Sequence, residues 1–105
     1  VADGSLAKEK TLITESWKRI AKCNGETKSL EKLQEECGEL ADAVGFLING
    51  ETQLTRDEVI LECADVLACI DQVLWHLHAE DECEAAKQWK CIRTIQQMKD
   101  TGRWQ

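Results

Sequence analysis

Proline is absent from all 105 residues, and no other feature narrows the possible folds so much. Helices in this chain are never interrupted by a missing N–H or a ring-locked φ. One phenylalanine and no tyrosine are present, so the aromatic residues that favour strands are scarce as well. The expectation is an all-α protein. A chain of this length forms one domain, residues 1–105, around a single small core.

Apolar spacing predicts four helices. The first covers about residues 5–22, where Leu6, Ile13, Trp17, Ile20 and Ala21 recur at helical intervals, and Asn24-Gly25 ends it. The second runs from about Ser29, read as its N-cap, to Ile48, with Asn49-Gly50 suited to a left-handed C-terminal turn. The third follows a capping box read at Thr55-Arg-Asp-Glu58 and continues to about His78. A second box, read at Asp81-Glu-Cys-Glu84, opens the fourth, whose Ala85, Trp89, Ile92 and Ile95 or Gln96 share a face until Gly102. Such short connections favour antiparallel neighbours, hence a compact bundle of four helices.

The third helix is apolar around most of its circumference, through Val59, Ile60, Cys63, Val66, Leu67, Ile70 and Leu74 among others. Such a helix is either central to its bundle or buried between subunits, and a homodimer or homotetramer is expected.

A net charge of −7 repels nucleic-acid polymers and anionic membrane surfaces, so a phosphate-bearing ligand would need a cation as intermediary. No apolar run approaches the roughly 18 residues of a membrane span, and VADGSLAKEK lacks a signal-peptide core. A cytoplasmic location is expected. The six cysteines form no C-x-x-C pair and mostly fall inside helical patterns, which favours buried reduced thiols over a disulfide framework.

The carboxylates are the anomaly. Advancing about 100° per residue from Leu33, the second helix places Leu40, Leu47, Val44 and Cys37 close to it, yet Glu36 lies only about 60° away and Glu39 about 120° on the same side. Glu35 and Asp42 point nearly opposite. On the third helix Glu58, Glu62, Asp65, Gln72 and His76 form one narrow polar strip. Like charges at i, i+3 repel. Two such pairs, Glu36/Glu39 and Glu62/Asp65, facing each other require solvent, protonation or a cation, and an oxygen-only donor set suits Mg²⁺ or Mn²⁺. A di-iron bundle would require Glu-x-x-His pairs, which this chain lacks.

Glu35-Glu36-Cys37-Gly38-Glu39, followed after a short loop by Glu62-Cys63-Ala64-Asp65, resembles the E-E-x-x-E then E-x-x-D pattern of MazG-like nucleotide pyrophosphohydrolases, of the all-α NTP pyrophosphatase superfamily. The resemblance extends from about Trp17 to Asp71. It implies Mg²⁺-dependent hydrolysis of a nucleoside triphosphate to a monophosphate and pyrophosphate, in a role such as nucleotide-pool cleansing, with Mn²⁺ as a substitute ion. Carried over, Glu36, Glu39, Glu62 and Asp65 would hold the metal, and Glu35 would assist the metal or a water. At the C-terminus, family members commonly carry a Lys and an Asn before a basic-aromatic pair. Here Arg103-Trp104 supplies the pair but no asparagine precedes it. Lys99 and Arg103, with Arg93 behind them, are the candidates for phosphate contact, and solvated charge is the competing reading.

Trp17 is a candidate for stacking a nucleobase, against the alternative of a core position. His76 lies along the carboxylate strip and is expected to be partly buried and hydrogen-bonded. The alternative to an enzyme is a noncatalytic all-α oligomeric interaction module with an unused acidic strip.

Overall fold

A computed structural model describes residues 2–105, with side chains described from Leu6 onward. It is an all-α bundle of four helices: α1 (Ala2–Asn24), α2 (Glu26–Asn49), α3 (Gln53–Leu77) and α4 (Glu80–Asp100). No strand occurs among the described residues. Among the described residues no helix is long and apolar enough to cross a membrane.

The α2–α3 hairpin is the heart of the bundle. α1 packs on both of its helices, whereas α4 packs on α3 alone. The core is small: among the described residues Ala21, Ala43, Val66, Cys69 and Val73 are its buried apolar residues, and no large side chain is fully buried. α3 is therefore central, yet its apolar belt is only partly covered within one chain. Val66, Cys69 and Val73 face inward, while Ile60, Leu61, Leu67 and Leu77 remain half or more exposed.

Three helix starts differ from the sequence expectation. α2 begins at Glu26 rather than at Ser29, because Gly25 adopts φ +82°, ψ 165° and takes the N-cap position without a side-chain bond. Ser29 is not a cap: it lies inside the helix, buried, and its Oγ has no hydrogen-bond partner. The α3 capping box sits one turn earlier than Thr55–Glu58. The Thr52 hydroxyl accepts from the Thr55 N–H at 3.1 Å and the Thr55 hydroxyl accepts from the Thr52 N–H at 2.9 Å, so two free donors are satisfied reciprocally. Thr55 also donates to the Gly50 carbonyl at 3.1 Å, tying the end of α2 to the start of α3. α4 starts at Glu80 behind Ala79, with no side-chain cap. Its acids Glu80, Asp81 and Glu82 instead complement the positive end of the helix dipole.

The helix ends also repay inspection. Gly50 is extended (φ −177°), so the left-handed turn expected at Asn49-Gly50 does not form. The left-handed C-terminal residue is His78 of α3, φ 51°, whose N–H is held by the Leu74 and Trp75 carbonyls. At the α1–α2 junction the Gly25 conformation is one that only glycine occupies without strain. Gly25→Ala is expected to destabilise the fold by about 1–3 kcal/mol, seen as a lower chemical-denaturation midpoint, although no neighbour obstructs the added methyl group.

All six cysteines are free. The expectation that they are buried holds only for Cys69, with Cys63 partly covered and Cys23, Cys37, Cys83 and Cys91 exposed.

Candidate metal centre

The hairpin brings the two carboxylate pairs together. α2 supplies Glu36 and Glu39 one turn apart, and α3 supplies Glu62 and Asp65 with the same spacing. Carboxylate oxygens of Glu36, Glu62 and Asp65 all lie within 4.8 Å of one another, as do those of Glu35, Glu36 and Glu39. Glu36 belongs to both groups and is the hinge of the site.

Glu36 is also the anomalous residue in burial, at 6 % exposed. A carboxylate removed from water to that extent requires partners for both oxygens. One is supplied: Lys32 Nζ, one turn earlier on α2, lies 3.1 Å from Oε1. The other, Oε2, is buried with no hydrogen-bond partner, and so is Oε2 of Glu62 across the hairpin. Two orphaned anionic oxygens among converging acids fit a hard divalent cation: the donors are all oxygen, and the uncompensated charge is negative. Burial first, and then the negative charge of Glu36, push the neighbouring Cys69 thiol up from its ordinary value.

Electrostatics report the same crowding. The Glu39 carboxyl is raised, first by the charge and closeness of Glu36, with partial desolvation and the charges of Glu62 and Glu35 adding. Lys32 is raised too, by its hydrogen bond to Glu36 and by the charges of Glu35 and Glu36. A raised carboxyl binds its proton more tightly in the folded chain than in the unfolded one. Its stabilising effect is thus complete below the ordinary carboxyl value and is lost as pH rises through the raised value. In chelator-treated protein, Glu39→Gln is expected to raise the melting temperature at neutral pH and to leave it nearly unchanged in acid, where Glu39 is already protonated. Thermal melts across pH check this; an equal shift at both ends would mean that relief of charge is not its origin.

The other candidate residues are dispersed. Glu35 is exposed, with Oε1 3.7 Å from Lys32 Nζ, and it joins the cluster from the outer edge despite its outward position on the helical wheel. Trp17, 40 % exposed, is not a core residue. With Trp75, Asp71 and Gln72 it lines a groove of about 200 Å³ between α1 and α3. His76 is partly buried and its Nε2 lies 2.8 Å from the Ala21 carbonyl, fastening α3 to the end of α1. Arg93 lies over the Trp89 ring at 5.5 Å, Lys99 is exposed near the end of α4, and Arg103 bonds to Thr101 at 3.1 Å. Because α4 does not pack on α2, these basic residues do not join Glu36 within one chain.

Lys32 is the site residue that the helical wheel missed. The signal was present: a lysine four residues before Glu36 stands on the same face of α2. Against known protein families, curated proteins and solved structures, the chain shows no match.

Proposed function

We propose that the protein is a MazG-like, Mg²⁺-dependent nucleotide pyrophosphohydrolase, converting a nucleoside triphosphate to its monophosphate and pyrophosphate. The observation that carries this reading is the buried, unpartnered Oε2 of Glu36 converging with Glu62 and Asp65. Glu36, Glu62 and Asp65, with Glu39, are the residues that would hold the ion. When bound, Mg²⁺ or Mn²⁺ supplies the positive charge that a chain of −7 lacks for gathering a triphosphate and polarising its phosphoryl oxygens.

The chain's own residues supply the rest. Glu35, at the exposed edge of the cluster, takes the proton from the attacking water. The water oxygen bonds to the α-phosphorus as the bond to the bridging oxygen breaks, and pyrophosphate leaves with that electron pair. Gln72 lies on the same strip of α3 as Asp65, seven residues or roughly 10 Å farther along the axis. The groove it lines with Trp17 and Trp75 is thus placed to receive the nucleobase by stacking. Lys99 and Arg103 remain candidates for the phosphates, supplied from a second subunit.

That second subunit is part of the proposal. The chain exposes 8460 Å², against about 6,000 Å² expected of a folded monomer of this mass. Its radius of gyration is 17.5 Å, where roughly 13 Å is usual for this length. The excess area is of the size that obligate homo-oligomers cover, and we assign the exposed face of α3 to a second copy of the chain, in a homodimer or homotetramer.

The test is pyrophosphate release from a panel of ribo- and deoxyribonucleoside triphosphates with Mg²⁺ or Mn²⁺. Release from at least one, abolished by chelator, is expected. No release from any nucleotide would favour the noncatalytic interaction module, for which the large exposed apolar surface is the specific support.

A further inference from the structure

We propose that Lys32 is a positioning residue of the metal centre: its ammonium holds one oxygen of Glu36 so that the other is presented to the cation. The inference rests on the metal-centre reading above and goes beyond it by assigning a role to a residue outside the carboxylate set.

The two oxygens of Glu36 are treated differently. Oε1 is held by Lys32 Nζ at 3.1 Å, while Oε2 is buried and unpartnered. A lysine that plugged the site would sit among Glu36, Glu62 and Asp65, and Lys32 does not. Among the described residues its carboxylate partners within ion-pair distance are Glu36 and Glu35, both on α2, so it approaches from the α2 side and leaves the face toward Glu62 and Asp65 free.

The pair is not an ordinary surface contact either. Lys32 precedes Glu36 by four residues, the less favourable order for an intrahelical ion pair, and the partners differ sharply in exposure: the lysine side chain is 52 % exposed and that of Glu36 only 7 %. A half-exposed lysine thus meets a buried anion from the surface side. One donor fixes the side-chain torsions of a carboxylate whose other oxygen has no protein partner to fix it. This is the work that hydrogen-bonding partners behind metal ligands perform elsewhere, and losing such a partner typically weakens metal binding about 10–100-fold.

Charge alone predicts the opposite sign. An ammonium close to a dication repels it, so a lysine acting only through its charge would, once removed, leave a site that binds the ion more tightly. The experiment is a calorimetric titration of chelator-treated protein with Mn²⁺ alone, comparing wild type, Lys32→Met and Lys32→Arg, with free Mn²⁺ counted independently by electron paramagnetic resonance. Lys32→Met keeps the apolar stem and lacks the donor; Lys32→Arg keeps a charged donor. The expected result is Mn²⁺ affinity lowered about 10–100-fold in Lys32→Met and largely recovered in Lys32→Arg. Unchanged or tighter binding by Lys32→Met overturns the positioning role, as does a loss that Arg fails to recover. Should Lys32→Met not fold by circular dichroism, Lys32→Gln takes its place in the same comparison. Wild-type protein that binds no Mn²⁺ would instead overturn the metal-centre reading itself, so the two failures are distinct.

Discussion

Replacing Glu36 with Gln is expected to lower metal-dependent pyrophosphate release by more than about 100-fold, since loss of a ligand exceeds the cost of losing a partner behind one. The substitution changes one atom and almost no volume. It converts the anionic oxygen that has no partner in the protein into either a neutral carbonyl or an amide N–H pointing at the cation. Asp65→Asn on the other helix is expected to do the same, because Glu36, Glu62 and Asp65 converge as one set. The decisive measurement is a paired one: pyrophosphate release at saturating Mg²⁺, and Mn²⁺ binding by the same variants. Loss of both identifies a metal centre, whereas unchanged release by both variants would remove these carboxylates from the chemistry.

The effect on the metal-free fold separates the acids. Glu36 has a basic partner at 3.1 Å, so its neutralisation forfeits a charge-assisted hydrogen bond even as it relieves repulsion. Glu62 forms no ion pair among the described residues, and its Oε2 is buried without a hydrogen-bond partner. Simple like-charge reasoning along the sequence treats these two residues alike; the structure distinguishes them through Lys32.

Helical periodicity made much of this visible in advance. The position of Glu36, about 60° from Leu33 on a wheel, marks it as an acid at the edge of an apolar face, and it is the one buried acid among the described residues. The i, i+3 spacing of Glu62 and Asp65 likewise places both on the α3 strip that meets α2. What periodicity does not carry is the reach of a flexible side chain. Lys32 has several rotatable bonds, and whether its ammonium turns to solvent or to Glu36 depends on where the hairpin buries that carboxylate.

Helix starts depart from the sequence pattern for a different physical reason. Thr55-Arg-Asp-Glu58 and Thr52-Gln-Leu-Thr55 are overlapping candidates for one box, and the glutamate at the third helical position favours the former. The structure uses the latter because the Thr55 hydroxyl also reaches the Gly50 carbonyl, a contact across the turn that no single-helix pattern encodes. Ser29 is not the cap because Gly25, by adopting a conformation that strains other residues, lets α2 begin three residues earlier.

Leu67→Asp is expected to raise the dissociation constant of the assembly by at least about 100-fold. Ile60, Ala64 and Leu67 lie at i, i+4 and i+7, forming one exposed stripe on α3, with Ile60 at 50 % and Leu67 at 62 % exposed. The same helix already uses Val66, Cys69 and Val73 against its own chain, so this stripe has nothing left to bury it except another molecule. Covering a leucine contributes about 1.5–3 kcal/mol. In a two-fold interface each substitution occurs twice, so the loss reaches at least about 3 kcal/mol, or two decades in affinity, before the cost of enclosing two carboxylates is added. Ile60→Asp is expected to behave alike. Sedimentation velocity at micromolar concentration reads the result directly: wild type as a dimer or tetramer, both variants as monomers. Because a single chain has so small a core, the dissociated variants should also melt at lower temperature, and without the concentration dependence that the wild-type oligomer shows. Wild-type protein that sediments as a monomer, or variants that sediment with it as the same oligomer, would show that this stripe is not the interface.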